Sequence, residues 1–117
     1  MKPFIRVMKA LSDPNRVKMI KLLQAKPLCV CEIQAALGIA QSTASKHLKI
    51  LEDAELVVRF KDGLWVNYSL SDGSGSPYAA SLLGQLKHWL DDDPDIESLM
   101  AQLPGIDRLD IVGKPPC

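Results

Sequence analysis

Two cysteines separated by one residue, Cys29 and Cys31, are the side chains of this sequence with the clearest capacity for chemistry. Two soft thiolates this close together favour soft or thiophilic ions over Mg²⁺ or Ca²⁺. A short helix is predicted to begin at this point, and the positive end of a helix lowers the pKa of a thiol. Residues two apart on a regular helix point in nearly opposite directions. Both sulfurs can therefore reach one ion only if Cys29 is still extended or the first helical turn unwinds.

Other interpretations of the cysteine pair stay open at this point. Cys31 could be a small core residue and Cys29 an idle thiol. The pair could be a redox sensor, although a disulfide between residues two apart is strained. A thiol carrier or oxidoreductase is disfavoured because the chain has no Cys-x-x-Cys motif. Only His47 and His88 could serve as bases, and neither is set beside a nucleophile, so we do not expect an enzyme.

Helical periodicity predicts the elements that position these thiols. Ser12 or Asp13 can cap the second helix, which begins at Pro14 and stops before Pro27, and Gly38 is suited to the left-handed end of the third. The predicted helices cover residues 3–11, residues 14–26, residues 29–37 and a segment that begins near residue 42 and directs Ala44, Leu48 and Leu51 inward.

A β-hairpin is predicted directly after the fourth helix, from residues 56–61 and 64–70 joined by Asp62-Gly63. A flexible link over residues 71–77 precedes a helix with the apolar stripe Leu82, Leu83, Leu86, Trp89 and Leu90. A weak short helix follows at residues 95–103, and no period is evident from Gly105 onward.

The predicted fold class is therefore mainly α with a β-hairpin wing, a homodimeric winged helix-turn-helix. We expect residues 1–90 to form the DNA-binding and dimerisation domain, and residues 91–117 to form an acidic extension that ends in Cys117. The first residues lack the apolar run of a signal peptide, and no stretch of about 18 apolar residues is present. We therefore expect a cytoplasmic protein without a membrane span.

The formal net charge is zero, but it is unevenly distributed. Residues 1–70 hold eleven basic and six acidic residues, a net charge of +5, whereas residues 71–117 hold three basic and eight acidic residues, a net charge of −5. Such a division is expected when one part of a chain faces a polyanion. The predicted partner is double-stranded DNA, contacted by short polar and basic side chains of the fourth helix and the hairpin, namely Gln41, Ser42, Thr43, Ser45, Lys46, His47, Lys49, Arg59 and Lys61.

One helix-turn-helix covers a single half-site, so sequence specificity normally demands a dimer. The first helix and the helix that carries Leu82 are not needed for the helix-turn-helix. Their apolar side chains are the predicted dimer surface, although part of each stripe could instead complete the core of one protomer: Phe4, Val7, Met8, Leu82, Leu86, Trp89 and Leu90.

Four segments, in this order, resemble the ArsR/SmtB family of winged-helix metalloregulators: LSDPNR at residues 11–16, LCVCEI at 28–33, QSTASKHL at 41–48 and DGLWVNYSL at 62–70. The resemblance covers about residues 3–90, and it is strongest to the arsenic-responsive repressors of the family. It implies a homodimer that blocks transcription of arsenic-resistance genes and leaves its operator when arsenite or antimonite binds. Cys29 and Cys31 match the ligands of the family's Cys-Val-Cys motif.

This sequence departs from that pattern at Gln34, where the arsenic-responsive repressors carry a third cysteine. Trivalent arsenic prefers three soft ligands, so the third could be Cys117, a small exogenous thiol or hydroxide. A methylated arsenical would need only the two sulfurs. The zinc site of other relatives is absent, since the last helix offers only His88 near Asp91 and Asp92. The N-terminal cysteines of cadmium and lead sensors are absent too.

Overall fold

The computed structural model describes residues 1–112 of the chain. In chain order the elements are α1 (Lys2–Ala10), α2 (Pro14–Ala25), β1 (Leu28–Cys29), α3 (Val30–Leu37), α4 (Gln41–Asp53), β2 (Val57–Asp62), β3 (Trp65–Leu70), α5 (Pro77–Leu86), α6 (Pro94–Gln102), a single 3₁₀ turn (Leu103–Gly105) and α7 (Arg108–Val112). Within the part of the chain described, every helix is too short or too polar to cross a membrane.

Local sequence signals set the boundaries of α2 and α3. The Asp13 side chain accepts hydrogen bonds from the backbone N–H groups of Asn15 and Arg16, so Asp13 caps α2 and Pro14 occupies its first position. Gly38 ends α3 with φ +67°. The N–H groups of Gly38 and Ile39 both donate to the Gln34 carbonyl, which satisfies the end of the helix. These predicted boundaries are confirmed.

The core lies where α2, α3 and α4 meet. The predicted inward residues of α4, Ala44, Leu48 and Leu51, are fully buried, and they pack with Ile20 and Leu22 of α2. Three residues separate α3 from α4, which is the helix-turn-helix. The small sheet leads from this core into solvent.

The three-stranded antiparallel sheet has the order β1-β3-β2. Its hairpin is formed as predicted, but the turn lies one residue later than expected. Asp62 pairs with Trp65, so Gly63 and Leu64 are the two central residues. Gly63 has φ +63°, and glycine supplies that backbone conformation without steric cost. The short strand β1 was not predicted, because two residues carry no periodicity.

Helix α5 ends at Leu86, four residues before the predicted apolar stripe ends. The prediction of a helix through Trp89 and Leu90 is therefore wrong. The buried Lys21 ammonium donates to the carbonyls of Leu86 and Trp89 and to the Asp91 carboxylate, at 2.8, 3.1 and 2.7 Å. A cation that binds carbonyls at the end of a helix satisfies their hydrogen bonding there. Apolar periodicity cannot report such a tertiary contact.

Described residues beyond position 90 pack on the same core as the residues before it. Ile96, Leu99 and Leu103 are buried, and α6 lies against α2. The short helix predicted at residues 95–103 is confirmed as α6. Helix α7 was missed because five residues are too few to show a period. The division at residue 90 stays a prediction, and Cys117 lies outside the described residues.

Candidate functional site

The two thiols meet where β1 passes into α3. Cys29 is the N-cap residue of α3 and has extended backbone angles, φ −84° and ψ 167°, whereas Cys31 lies in the first helical turn. Their Sγ atoms are 2.7 Å apart. The extended conformation of Cys29 is the condition under which the sequence allows both sulfurs to reach one ion. The structure therefore brings together the two ligands predicted from the sequence.

Strand pairing and a buried carboxylate hold Cys29 in this conformation. Cys29 faces Asn67 in the ladder between β1 and β3, which keeps its backbone extended. The Glu32 carboxylate, itself buried, accepts a hydrogen bond from the Cys29 N–H at 3.0 Å and completes a capping box at the start of α3. The thiol geometry is thus fixed by the local sequence Cys-Val-Cys-Glu together with the sheet.

The thiol pair is closed to solvent. Cys29 is 0% exposed and Cys31 is 2% exposed, and with Trp65 they form a small apolar cluster separate from the main core. Within residues 1–112 no group of three or more His, Cys, Asp or Glu residues is placed to hold a metal ion. The described donor set is therefore two soft sulfurs, which suits a thiophilic ion that takes a further ligand from elsewhere.

One side chain of α7 covers this cluster. The Arg108 guanidinium lies over the Trp65 ring, with Cζ 4.4 Å from the ring centroid. The same group donates to Asn67 Oδ1 at 3.3 Å and pairs with Asp62 Oδ2 at 3.2 Å. Sequence reasoning missed Trp65 and Arg108 as site residues. The only signal for Trp65 was its place in the segment that resembles the family, and Arg108 lies in a stretch without periodicity.

The predicted DNA-contacting residues of α4 form one exposed face. Gln41, Ser42, Thr43, Ser45, Lys46 and Lys49 are all exposed, while Ala44 and Leu48 of the same helix are buried. On the hairpin, Arg59 and Lys61 are exposed, and two-residue alternation places them on the same face of β2. In the chain, a connection of three residues joins α4 to β2.

Some of the predicted cationic and polar contacts have partners within the chain. Lys49 pairs with Asp53 at 3.1 Å, and Arg59 pairs with Glu52 at 3.5 Å. His47 is half-buried, and its Nδ1 lies 3.0 Å from a guanidinium nitrogen of Arg16. DNA phosphates would therefore compete with carboxylates for the lysine and the arginine, and His47 is partly engaged in the protein.

Arg16 is a structural link that sequence reasoning did not assign. Besides His47, its guanidinium donates to the carbonyls of Ala10 and Lys9 at 2.7 and 3.2 Å, so it joins the end of α1 to α4. The signal was its position in the third place of α2, two residues after Pro14. Arg16 therefore connects α2 to the end of α1 and to His47 of α4.

The predicted dimer surface is divided by the structure. Val7 and Leu86 are buried in the protomer's own core, and Met8 and Leu82 are half-buried. The interface assignments of Val7 and Leu86 are therefore corrected, because side chains that are 1% and 5% exposed are already covered. Phe4, Trp89 and Leu90 are exposed at 39%, 53% and 41%. Phe4 packs edge-on against Tyr78 of α5, which joins the two predicted interface helices.

A helix-turn-helix formed by α3 and α4 and followed by a hairpin, with the other described helices around it, defines a winged helix-turn-helix domain. The family model described as "Bacterial regulatory protein, arsR family" matches residues 13–58, from the cap of α2 to the start of the wing. The chain belongs to this family. The prediction of family and fold class is confirmed.

Two curated relatives and one solved structure show the extent of the similarity. The chain is 42% identical over 65 residues to an arsenical resistance operon repressor of Bacillus subtilis, which covers 55% of the chain and 62% of the relative. It is 40% identical over 63 residues to a transcriptional repressor SmtB homolog of Synechocystis, covering 54% and 48%. The matched region thus spans about half to three-fifths of these relatives.

The solved structure is the homodimeric winged helix-turn-helix DNA-binding domain of Mb0332 from Mycobacterium bovis, described as a possible ArsR-family transcriptional regulator. It superposes with a TM-score of 0.64 at 26% sequence identity, covering 78% of this chain and 81% of that one. The superposition therefore extends beyond the helix-turn-helix, across most of the described residues.

Proposed function

We propose that this chain is a homodimeric transcriptional repressor of arsenic-resistance genes. It binds double-stranded operator DNA through α4 and the wing, and it leaves the DNA when trivalent arsenic or antimony binds Cys29 and Cys31. The observation that carries the proposal is the pair of sulfurs 2.7 Å apart at the start of α3, the first helix of the helix-turn-helix. The curated relative from Bacillus subtilis, an arsenical resistance operon repressor, supports it.

The face of α4 supports DNA as the partner. Short polar side chains at the start of α4 suit base edges in the major groove. Lys46 and Lys49, further along the helix, suit phosphates, as do Arg59 and Lys61 on the wing. All four cations are exposed, and the part of the chain that carries them has a net charge of +5. One face thus combines base-reading and phosphate-binding groups.

The exposed apolar residues of α1 and of the segment after α5 support a dimer. Phe4, Trp89 and Leu90 are accessible in the protomer, and the similar domain Mb0332 is homodimeric. Phe4→Asp places a charge in this surface, where burial without a partner is costly. The variant is expected to sediment as a monomer and to bind a two-half-site operator more weakly. A Phe4→Asp chain that remains dimeric would place the interface elsewhere.

An ion bound to both thiols must fit into the start of α3, where Cys29 is the cap residue and Cys31 lies in the first turn. Because both sulfurs are buried, the ion displaces its neighbours there. The displacement acts on the helix whose other end, at Gly38, sets the start of α4. The ion thereby favours a conformation that differs from the one that fits DNA.

Release requires that the ion bind the free conformation more tightly than the DNA-bound one. A coupling of roughly 2–3 kcal/mol weakens DNA binding about 30- to 150-fold. A third ligand completes the coordination of arsenite, and the candidates are Cys117, a small thiol or hydroxide. A methylated trivalent arsenical needs only the two sulfurs of Cys29 and Cys31.

The deciding experiment is a gel shift on the promoter upstream of the chain's own gene, titrated with arsenite, methylarsenite, antimonite, zinc and cadmium. Arsenite and antimonite are expected to release the DNA, and zinc and cadmium are not. The Cys29→Ser/Cys31→Ser double variant is expected to bind the operator normally and to resist release. If the double variant is still released normally, the site assignment is wrong. Cys117→Ser separates the ligands, since it weakens the arsenite and antimonite responses but not the methylarsenite response if Cys117 is the third donor.

The second candidate is a repressor released by oxidation of the same thiols, and the short Sγ–Sγ distance is the observation in its favour. A disulfide between residues two apart is strained, which weighs against it. Peroxide-driven release that persists in the presence of an arsenic chelator would favour oxidation. A thiol carrier is less well supported, because carriers exchange accessible thiols and both sulfurs are buried.

A further inference from the structure

We propose that Arg108 of α7 is a positioning residue that holds a cover over the thiol pair and ties that cover to the wing. The inference rests on the proposed function and concerns the regulation of the same site. A ligand can reach the two sulfurs only by displacing something, since Cys29 is 0% exposed and Cys31 is 2% exposed. The side chain packed against both is Trp65, and the group over Trp65 is the Arg108 guanidinium.

The sheet places the contacts of Arg108 on one face. Asp62 pairs with Trp65 across the hairpin, Phe60 pairs with Asn67, and Asn67 pairs with Cys29 across β1. Side chains directly opposite each other in a ladder point to the same side. Asp62, Trp65 and Asn67 therefore share the face that carries Cys29, and Arg108 contacts all three of them.

A single guanidinium thus bridges the end of the wing and the cover of the thiol site. Its planar fork can stack on an indole and hydrogen-bond in its own plane at the same time, which a lysine ammonium cannot do. Arg108 is about one-quarter exposed, whereas its ion-pair partner Asp62 is 55% exposed at the end of β2. Arg108 thus joins a covered contact on Trp65 to an exposed one at the end of the wing.

The consequence is a two-state device. In the closed state, α7 is docked, Trp65 covers the sulfurs and the wing has the position seen in the structure. An ion bound to both buried sulfurs needs space in the cluster that Trp65 closes, so it pushes against Trp65 and the Arg108 guanidinium stacked on it. In the open state, the ion is bound, Arg108 has left the ring and the wing is free to move. Arsenite binds the open state and the operator binds the closed one.

The test compares Arg108→Ala, Arg108→Lys and Asp110→Ala in the full chain. Asp110 is exposed on the same short helix, so Asp110→Ala is the matched control. Access to the sulfurs is measured as the alkylation rate of Cys29 and Cys31 by iodoacetamide, with peptide mass spectrometry to separate them from Cys117. Burial of Trp65 is measured by its fluorescence emission in a Trp89→Phe version of each variant, which is used for this readout alone. Arsenite and operator affinities are measured on the variants that retain Trp89.

Arg108→Ala is expected to raise the alkylation rate about tenfold, to shift the Trp65 emission to the red, to tighten arsenite binding about five- to tenfold and to weaken operator binding by a similar factor. Arg108→Lys is expected to lie between Ala and the parent. Asp62→Ala, which removes the partner on the wing, is expected to raise the alkylation rate in the same direction and to add little to Arg108→Ala.

The proposal is overturned if Arg108→Ala and Asp110→Ala give the same alkylation rate, Trp65 emission and arsenite affinity. A structural role of Arg108 alone would lower thermal stability without tightening arsenite binding, and that result also overturns it. Failure of the proposed function gives a different pattern, in which arsenite does not release the operator from the parent protein. The alkylation and emission readouts still decide the role of Arg108 in that case.

Discussion

The face of α4 and the thiol pair differ in how they are built. The polar face of α4 that is proposed to contact DNA comes from one helix and is exposed except at His47, and its Lys49 pairs with a surface carboxylate. The thiol pair is closed, and it depends on β1, α3, β3 and α7 together. The face of α4 is accessible as it stands, whereas the buried thiols become accessible only when their cover moves.

This difference indicates where regulation resides. In the proposed complex, DNA at α4 replaces water and exposed ion pairs such as Lys49–Asp53, which requires little rearrangement of the protein. Under the proposed function, an ion at the buried thiols must displace Trp65, so its binding energy is coupled to movement of the cover and the wing. A closed site assembled from several elements couples ligand binding to the movement of those elements, whereas an open face of one helix does not.

Of the changes considered, removal of Trp65 should have the largest effect, because it opens the thiol pair and leaves the face of α4 unchanged. Trp65→Ala deletes a 7% exposed indole and is expected to lower the free energy of unfolding by about 3 kcal/mol, as large-to-small substitutions of buried aromatic residues do. Chemical denaturation measures this loss, and iodoacetamide alkylation of Cys29 and Cys31 should become fast.

The matched control is Leu64→Ala, on the turn of the same hairpin, where the side chain is 79% exposed. It is expected to change the free energy of unfolding by less than about 0.5 kcal/mol. Equal losses for the two variants would show that Trp65 contributes no more than any hairpin residue, and the closed description of the thiol site would then be wrong.

Loss of single cations should affect the open surface alone. Lys46→Ala on α4 and Lys61→Ala on the wing are each expected to weaken operator binding about five- to tenfold and to lower the slope of log affinity against log salt by about 1. Arsenite affinity should not change. Lys87→Ala, an exposed lysine after α5, is the control and should leave the slope unchanged. An unchanged slope for both Lys46→Ala and Lys61→Ala would remove these residues from the DNA surface.

The smallest expected effect is on the ion pair between Arg59 and Glu52. Glu52→Gln frees Arg59 from a carboxylate at 3.5 Å and should tighten operator binding about two- to threefold. The free energy of unfolding should change by less than about 1 kcal/mol, because Arg59 is 62% exposed and exposed ion pairs contribute little. Weaker operator binding by Glu52→Gln would mean that the pair positions Arg59 for DNA.

The helix-turn-helix could be predicted well because its signals are local. Asp13 and Pro14 begin α2, Gly38 ends α3, and the inward spacing of Ala44, Leu48 and Leu51 identifies α4. Each signal depends on a hydrogen bond, a backbone angle or a helical repeat within a few residues. The extended cap at Cys29 was anticipated as one of two alternatives for the same reason.

The predictions that failed depend on contacts between distant residues. Helix α5 stops at Leu86 because Lys21, 65 positions earlier, binds its last carbonyl. Val7 and Leu86 have the same apolar character as Phe4, yet they lie in the core of the protomer. Composition and spacing identify the apolar face of a helix, but they do not show whether that face packs in the protomer's own core or remains exposed.

The sequence alone determined the winged helix-turn-helix, the family resemblance and the two thiols, since short-range hydrogen bonding and periodicity dictate them. Only the tertiary structure decided that the thiols are closed and that Trp65 and Arg108 cover them. Arg108 lies 41 residues from Asn67 and 46 from Asp62, and side chains so far apart in sequence meet only once the chain has packed. The local sequence therefore determines the two thiols, whereas the tertiary structure determines whether solvent or an ion can reach them.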